Sequence, residues 1–309
     1  MSVAGLIEIG GLVMCDCLVA LPSATADGVT LFAKNSDRPS SELQRIARIE
    51  ARIDHGPLRC TYIDVAAHPV ATLAAIAMQP TWMWGVEGGV NEAGVAIGNE
   101  MIFTTLDPRA HPPALTGMDL VRLGLERAGS ATEAVEVITG LLRRYGQGGS
   151  GHLDSNRPYW SSFLVADSTR AYVLETSGPS WAVEEVLDPG VRAISNRTTI
   201  AGFDAEHRHP RQRVAAFVDP RLRASNACLS QRPVRREAIE AHLRSHEGDG
   251  GWTVCMHVDE PGMCESTTAS LIASLPAGHP PDIWLALGSP CQTEYVRQRT
   301  PGTHPMTGQ

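Results

Sequence analysis

Two cysteines near the start of the chain are residue types that can do covalent chemistry. Cys15 and Cys17 open one apolar run, and Lys34, Asn35 and Asp37 follow the next. A cysteine that becomes a chain terminus offers a thiol nucleophile together with an α-amine that can accept the thiol proton. The reference pKa of an α-amine is about 8, so this base works close to neutral pH. The pattern predicts a nucleophilic site for amide-bond hydrolysis, with Cys15 as nucleophile and Cys17 as its competitor.

Two ordinary explanations compete for Cys15. Most buried free cysteines act as small apolar side chains, and a Cys-x-Cys pair can bind a metal. Metal-binding cysteine pairs, however, usually have two or more residues between them and a second pair elsewhere. The rest of the seven cysteines are scattered along the chain. We therefore expect no metal site, no disulfide framework and no cofactor.

A hairpin is needed to bring the polar residues back to the first strand. Asp27-Gly28 lies between two apolar runs and is a typical turn sequence. The returning strand then places Lys34, Asn35 and Asp37 beside Cys15 or just beyond its end. There Asp37 can hydrogen-bond a terminal amine, while the charge of Lys34 favours the thiolate. The alternative is that both are solvated charges on a turn.

Asparagines and tryptophans further along the chain are candidates to complete such a site. Asn91 and Asn196 are either turn residues or donors of an oxyanion hole, where each donor stabilises the developing charge by about 3 kcal/mol. Trp82 and Trp84 precede Asn91 in a segment rich in glycine. They line a substrate pocket, or they belong to the core as tryptophans more often do. We take all four as candidate site residues, with Asn35 as a further candidate for substrate binding.

Composition limits the class of protein and its partners. The chain has 309 residues, 43% of them hydrophobic, and a formal net charge of −8. This mild charge argues against nucleic acid or an anionic membrane as partner, and no apolar stretch reaches the length of a membrane span. Residues 1–14 lack the basic start of a secretory signal, and the cysteine usage fits a reducing compartment. We expect a cytoplasmic protein that acts on a small molecule.

Hydrophobic periodicity predicts a mixed α+β fold. Strand-like runs dominate both ends and paired helices occupy the middle, unlike a regular βαβ alternation. One helix is expected before Gly129, a second from a capping box of Ser130 and Glu133 to Gly146, and a third that starts at Pro233. The predicted strands are 17–21, 29–33, 71–78, 94–98, 163–166, 172–174, 268–275 and 283–287.

Nine short stretches, in one consistent order from Cys15 to about Ser270, match a known family. They are CDCLVALPSAT, FAKNSDRP, WMWGVEGGVNEAGVAIGNE, GMDLVRLGLERA, YGQGG, FLVAD, YVLET, AISN and STTAS. Each stretch alone is weak, and together they are specific. On these stretches the chain resembles the secernin-like cysteine dipeptidases of the N-terminal nucleophile (Ntn) hydrolases.

The resemblance implies a fold and a set of roles. The fold is a four-layer αββα sandwich of two stacked antiparallel sheets with helices on both outer faces. The nucleophile is Cys15, Asn91 lends mainly its backbone N–H, and Asn196 lends its side-chain amide. Related amidases often have Arg where this chain has Lys34, which is a point charge and not a bidentate fork. The implied activity is cleavage of a small peptide or acyl amide, most simply a dipeptide, and the family also suggests a homo-oligomer.

Two other functions stay open at the level of sequence. The same site would serve an N-acyl amidase or acyltransferase of the penicillin-acylase or bile-salt-acylase type. A secernin-like chain with an unprocessed or modified cysteine would instead be a binding or regulatory protein without catalysis.

The expected domain organisation follows from the need to expose Cys15. Residues 1–14 are a leader or propeptide removed by self-cleavage, or Met14 is the true start and ordinary methionine removal exposes the cysteine. Residues 15–299 form the Ntn-hydrolase domain, and residues 300–309 are a flexible tail.

Overall fold

Two antiparallel sheets account for most of the computed structural model, which describes residues 14–153, 156–210, 214–247 and 250–301. The predicted leader up to residue 13 and the predicted tail from residue 302 lie outside the described residues.

The first sheet contains the strand that begins with Cys15. Its strands are β1 (Cys15–Ala20), β2 (Thr30–Pro39), β12 (Val191–Ile194), β13 (His257–Glu260), β14 (Met263–Leu275), β15 (Asp282–Leu287) and β16 (Val296–Gln298). Their order is β12-β1-β2-β14-β15-β16, with β13 paired to β14. Strand β1 therefore lies between β2 and β12. Residues at the ends of both neighbouring strands can contact Cys15, the first residue of β1.

The second sheet is built from the middle of the chain. Its strands are β3 (Gln44–Ile49), β6 (Ala75–Pro80), β7 (Gly88–Asn91), β8 (Ala96–Ile102), β9 (Trp160–Ala166), β10 (Ala171–Ser177) and β11 (Ser180–Glu185). Their order is β11-β10-β9-β8-β7-β6-β3, and a small separate ribbon pairs β4 (Leu58–Arg59) with β5 (Asp64–Val65).

Helices cover the outer face of each sheet. They are α1 (Gly117–Arg127), α2 (Ala131–Tyr145), α3 (Ala201–His207), α4 (Val214–Phe217), α5 (Asp219–Ser230) and α6 (Arg236–Leu243). Among the described residues, none of these helices is long and apolar enough to cross a membrane.

Three apolar cores separate four layers. Side chains alternate along β1, so Cys17 and Val19 lie in the core between the sheets, whereas Leu18 and Ala20 pack toward α5 and α6. A further core joins α1 and α2 to the second sheet. The layers are α5–α6, first sheet, second sheet and α1–α2, which confirms the expected αββα sandwich.

The predicted hairpin is present and fixes the start of β1. Strands β1 and β2 pair antiparallel, with Cys15 opposite Ser36. The connection is longer than a tight turn, because it contains a short 3-10 helix, Pro22–Ala24, before Gly28 at φ +65°. Residues at the end of β2 therefore lie beside the first residue of β1.

The boundaries of the predicted helices shift for local reasons. The Ser130 hydroxyl accepts the N–H of Glu133 at 3.2 Å, but the Glu133 carboxylate accepts from the N–H of Gly129 at 2.7 Å rather than from Ser130. The expected capping box is thus only half formed. Helix α2 ends at Gly146 with φ +72°, as expected.

The third predicted helix starts later than Pro233. Val234 pairs with the loop before β2: its N–H donates to the carbonyl of Ala24 at 2.8 Å, and its carbonyl accepts from Ala26 at 2.9 Å. These bonds hold residue 234 extended, so α6 begins at Arg236.

Candidate active site

Two neighbouring strands hold the start of β1 from opposite sides. On one side the backbone N–H of Asp37, in β2, donates to the carbonyl of Met14 at 3.0 Å. On the other, Asn196 follows the end of β12, and its Oδ1 accepts the N–H of Cys15 at 2.7 Å. The Met14–Cys15 peptide is therefore held on both of its polar groups.

Asn196 is fully buried and joins the two sheets. Besides its bond to the nitrogen of Cys15, its Nδ2 donates to the carbonyl of Met101 in β8 at 2.9 Å. The adjacent Ser195 hydroxyl donates to the carbonyl of Cys15 at 3.1 Å. Asn196, which the sequence predicts as a donor to an oxyanion through its side-chain amide, therefore contacts Cys15 through its Oδ1.

A buried arginine ties Asp37 to β1. Arg221, in α5, donates through Nη2 to Asp37 at 3.1 Å and to Asp16 at 2.6 Å, and all three side chains are fully buried. The Thr267 hydroxyl donates to the other oxygen of Asp37 at 2.6 Å. Burial raises the pKa of Asp37 to about 7, although the charge of Arg221 acts in the opposite direction.

Sequence reasoning named Asp37 but missed its two partners. Thr267 was within reach, because it lies in the stretch STTAS that carries the family resemblance. Arg221 was not, because it lies 184 residues from Asp37 and only the fold brings them together.

Lys34 points from β2 into the space between the sheets. Its Nζ donates to the carbonyl of Asn99 at 2.6 Å and lies 3.5 Å from Glu100 Oε1. Gly88 and Gly98 make room for it, since a Cβ on either would lie 2.9 Å from Lys34 Cδ. The lysine side chain thus lies in a narrow slot beside Gly88 and Gly98.

The charges around Lys34 affect the Cys15 thiol. Burial raises the pKa of Cys15 well above its usual value, and the charge of Lys34 opposes this rise only in part. Burial likewise raises the pKa of Glu100 to about 8, again against Lys34. The thiol is therefore protonated at neutral pH in the chain with Met14 attached.

Sulfur and aromatic side chains surround Cys15, which is 1% exposed. It lies in a cluster with Met83, Met101, Met118 and Tyr159, and the half-buried Trp82 packs against the same cluster. Trp82 therefore lies beside the cluster that contains Cys15.

Trp84 does not belong to that cluster, and its expected role in substrate binding is corrected. It packs against the core under α1 and α2, and the guanidinium of Arg122 lies 4.1 Å from the centre of its ring. Trp84 therefore has the structural role that tryptophans more often have.

Asn91 is also reassigned, because its hydrogen-bonding groups close a turn. Its backbone N–H donates to the carbonyl of Val95 at 3.0 Å. Its side-chain amide donates to the carbonyls of Leu125 and Ala128 at the end of α1, at 2.9 and 2.7 Å. With its backbone and side-chain N–H groups engaged in these bonds, Asn91 fixes the β7–β8 turn onto α1.

Asn35 lies on the other face of β2 from Lys34, because side chains alternate along a strand. Its amide donates to the carbonyls of Leu243 and Val254 at 2.9 and 2.8 Å, and its Oδ1 accepts from Ser270 at 2.5 Å. These bonds anchor the helical layer, so the expected role of Asn35 in substrate binding is also corrected.

Met14 fills an apolar pocket at the start of β1. It is 1% exposed and lies in a cluster with Val218, Trp252, Met256 and Val258. Removal of everything before Cys15 would therefore vacate an apolar pocket directly beside the exposed α-amine.

A cleft of about 770 Å³ lies next to the Met14 pocket. Met263 lines the cleft and packs against the Met14 cluster. Glu42 also lines it and accepts a hydrogen bond from Trp82 Nε1 at 3.1 Å. Trp82, which packs against the cluster around Cys15, is thus hydrogen-bonded to a residue of the cleft wall.

One group of side chains outside this site could hold a metal. Among the described residues it consists of His246, Cys255, His257 and Cys291.

The two stacked antiparallel sheets with helices on both outer faces form the Ntn-hydrolase type of fold. Residues 14–219 match peptidase family C69, and the chain belongs to that family. The match begins one residue before Cys15. Membership of a peptidase family makes the chain a hydrolase of carbon–nitrogen bonds, in agreement with the coarser part of the sequence prediction.

Known structures share this fold at low sequence identity. A variant of conjugated bile acid hydrolase from Clostridium perfringens aligns with a TM-score of 0.57 and 13% identity, over 92% of each chain. A Caenorhabditis elegans ortholog of N-acylethanolamine-hydrolyzing acid amidase aligns with a TM-score of 0.50 and 12% identity, over 84% of this chain and 92% of its own. At such identities the likeness concerns the fold alone.

Proposed function

We propose that this chain is a cysteine Ntn hydrolase that cleaves small amide bonds, most simply in dipeptides. The observation that carries the proposal is the hydrogen bond from the Cys15 nitrogen to Asn196 Oδ1 at 2.7 Å. This bond fixes the backbone nitrogen of Cys15. Once Cys15 is the first residue, that nitrogen is the α-amine that serves as the base for the thiol of the same residue. Asp37 lies next to the same peptide, and its buried carboxyl would orient the freed amine.

Exposure of the α-amine comes first. In self-cleavage the Cys15 thiol adds to the Met14 carbonyl carbon, the C–N bond breaks, and the nitrogen takes the thiol proton. Water then hydrolyses the thioester and leaves a free thiol, a free α-amine and a Met14 carboxylate. The Asp37 N–H, 3.0 Å from the Met14 carbonyl oxygen, would stabilise the charge that develops there. If Met14 is instead the initiator, ordinary methionine removal gives the same terminus.

Turnover repeats this chemistry on a bound amide. The α-amine of Cys15 takes the thiol proton, and the sulfur attacks the substrate carbonyl. The tetrahedral intermediate collapses to a thioester, and the protonated amine returns its proton to the leaving nitrogen. Water, deprotonated by the same amine, then releases the acid.

Two side-chain amides are the candidate donors to the oxyanion. Asn196 lies at the nucleophile nitrogen, and Asn99 replaces Asn91 as the second candidate. The Asn99 Nδ2 contacts the sulfur of Met118, which packs in the same cluster as Cys15, so its amide faces the sulfur-rich pocket. Removal of one such donor costs about 10²–10³-fold in kcat.

The chain's composition allows a direct test of the amine. Lys34 is the only lysine of the chain, and it is fully buried. An amine-reactive reagent applied to the folded protein should therefore label one group, the α-amine. We expect the intact mass to show a chain that begins at Cys15, and labelling of that amine to abolish dipeptide hydrolysis.

Substitution of the nucleophile completes the test. Cys15→Ala should abolish hydrolysis and leave the thermal unfolding temperature nearly unchanged, whereas Cys60→Ala, a buried cysteine of another core, should keep the activity. An active Cys15→Ala variant, or full activity in protein that retains Met14, would overturn the proposal.

A second candidate is an N-acyl amidase with the same site. The apolar Met14 pocket favours it, because an acyl chain would fit there as well as an apolar side chain. The two fold relatives are described as a bile acid hydrolase and an N-acylethanolamine-hydrolyzing amidase. Comparing kcat/KM for dipeptides with that for N-acyl amino acids and N-acylethanolamines separates the two candidates.

A further inference from the structure

Four metal-ligating side chains converge at a place that the proposed mechanism does not use. His246, Cys255, His257 and Cys291 each offer one ligand atom, and these atoms all lie within 4.8 Å of one another. His257 Nε2 lies 3.5 Å from Cys255 Sγ and 3.2 Å from Cys291 Sγ. The rings of His246 and His257 stand edge to face, with centroids 5.0 Å apart.

We propose that these four residues form a structural Zn²⁺ site. Two thiolates and two imidazoles are a donor set typical of structural zinc, and four protein ligands fill its tetrahedral coordination. With Zn–S near 2.3 Å and Zn–N near 2.1 Å, tetrahedral ligand atoms lie about 3.4–3.8 Å apart. His257 Nε2 lies 3.5 and 3.2 Å from the two sulfurs, and all four ligand atoms lie within 4.8 Å of one another, so small movements of the side chains would bring them to these separations.

Two backbone hydrogen bonds and one from a side chain hold the ligand-bearing segments together independently of any metal. The Cys255 N–H donates to the carbonyl of Ser245 at 3.0 Å, and the His257 N–H donates to the carbonyl of Gly251 at 3.0 Å. The Arg244 guanidinium donates to the carbonyl of Pro290, the residue before Cys291. The site is thus formed by the fold and not by a chance approach of mobile side chains.

Exposure is graded across the site. Cys255 is fully buried, His257 and Cys291 are half-buried, and His246 is exposed. An ion can therefore enter on the side of His246 and meet the buried thiol last. This arrangement also makes His246 the ligand whose replacement disturbs the fold least.

The site would stabilise the pocket at the start of β1. Met256, between two of the ligands, packs against Met14, and its N–H donates to Thr267 Oγ1 at 2.9 Å. Thr267 in turn donates to Asp37. A metal that fixes residues 255 and 257 would thus keep the Met14 pocket and the Thr267 hydroxyl in place.

The experiment is a metal analysis of the full-length protein purified under reducing conditions without chelator. We expect about one zinc per chain by mass spectrometry of the elements, and loss of most of it in the His246→Gln and Cys291→Ser variants. Cys228→Ser and Cys264→Ser replace cysteines outside the site and should keep full zinc content. Circular dichroism of each variant reports whether the fold is retained.

A spectroscopic readout identifies the ligands. Co²⁺ in place of Zn²⁺ should give the thiolate-to-cobalt charge-transfer band of a tetrahedral site with two sulfurs, at reduced intensity in Cys291→Ser.

Two results would overturn the proposal. The first is that the native protein is folded but contains no zinc, and that it binds added Zn²⁺ no more tightly than the His246→Gln variant does. The other is a Cys255–Cys291 disulfide in protein kept reduced, found by peptide mass spectrometry. Neither result bears on Cys15, so the zinc site and the proposed hydrolase activity stand or fall separately.

Discussion

Burial dominates the chemistry of single residues at the start of β1. It is the largest influence on the pKa of Cys15, of Asp37 and of Glu100, and in each case it opposes the charged form. Lys34 and Arg221 offset only part of this effect. A thiol in such surroundings stays protonated unless a base lies within hydrogen-bonding distance. An α-amine on the same residue would be such a base.

The charge of Lys34 can be tested by a substitution that keeps its length. Because this charge lowers the pKa of Cys15, we expect Lys34→Met to move the pH midpoint of Cys15 alkylation upward. The activity at pH 7 should fall, since less of the thiol can be deprotonated at that pH. The rate of iodoacetamide labelling of Cys15 against pH, read by peptide mass spectrometry, measures the shift.

An exposed cation on β3 is the control for this substitution. Arg45→Met should leave the midpoint where it is in the native protein. An unchanged midpoint in Lys34→Met would show that the lysine has no electrostatic role at the thiol.

Glu265 predicts how stability depends on pH. Its Oε2 has no partner among the described residues, and burial raises its pKa to about 8. The ordinary pKa of a glutamate is 4.5. Between pH 4.5 and about 8 the unfolded chain therefore loses this proton more easily than the folded protein does, and the free energy of unfolding falls as the pH rises. We expect Glu265→Gln to be more stable than the native protein at pH 8 by about 1–3 kcal/mol, and the difference to shrink toward pH 5.

Urea unfolding at several pH values between 5 and 8 measures this effect. Asp259→Asn, an exposed carboxyl on the neighbouring strand β13, is the control and should leave the pH dependence unchanged. Parallel curves for the native protein and Glu265→Gln would contradict the assignment.

At the scale of elements, the pairing of β14 with β2 determines how Asp37 is held. Thr267 is opposite Asp37, and the register shifts between Thr267 and Ala269. The Thr267 hydroxyl bond lowers the pKa of Asp37, which burial otherwise raises. We expect Thr267→Val to move the acid limb of the kcat/KM profile to higher pH by about 0.5–1 unit, and Thr267→Ser to restore it. Superimposable profiles for Thr267→Val and the native enzyme would exclude this role.

The elements around Met14 predict a substrate preference. In a chain that begins at Cys15, as proposed above, the pocket of Val218, Trp252, Met256 and Val258 would be an empty apolar pocket beside the cleft. We expect kcat/KM to be about 10-fold or more higher for Met-Ala than for Asp-Ala, because burying a charge in an apolar pocket is costly. Trp252→Ala should reduce this ratio, while Trp181→Ala, on β11, should not. Equal kcat/KM values for the two dipeptides would contradict the assignment of this pocket.

The sequence predicted the elements whose signals are local. Asp27-Gly28 indicated the hairpin that brings Asp37 to Cys15. Helix α5 gave no such signal, because its buried face consists of Arg221, Ser225 and Leu229 and so has no apolar periodicity. The partners of Asn91 were hidden for a similar reason: its amide donates to two carbonyls at the end of α1, and sequence alone does not place that end beside β7.

Residues far apart in sequence were beyond such reasoning. His257 and Cys291 are 34 residues apart, and no spacing rule joins them to His246 and Cys255. They meet because the segments that follow α6, precede β13 and follow β15 lie close together in the fold, and spacing along the sequence does not reveal such a group.

At the scale of the whole molecule, one side chain links the helical layer to the nucleophile strand. Arg221 reaches from α5 to Asp16 in β1 and to Asp37 in β2, and none of the three is accessible to solvent. Loss of the cation would leave two carboxyl groups buried together. Breaking a buried pair in this way typically costs about 3–5 kcal/mol, so the position of α5 and the electrostatics of the site depend on each other.

Substitution of Arg221 should therefore affect both the stability of the fold and the pKa of Asp37 in the site. Arg221→Met should lower the free energy of unfolding by about 3–5 kcal/mol and raise the pKa of Asp37 further, because Arg221 now lowers it. Arg223→Met, an exposed residue two positions along the same helix, should change stability by less than about 0.5 kcal/mol. Urea unfolding gives the first quantity. If Arg221→Met instead matched Arg223→Met in stability, α5 would be held by its apolar contacts alone, and the buried arginine would serve only the site.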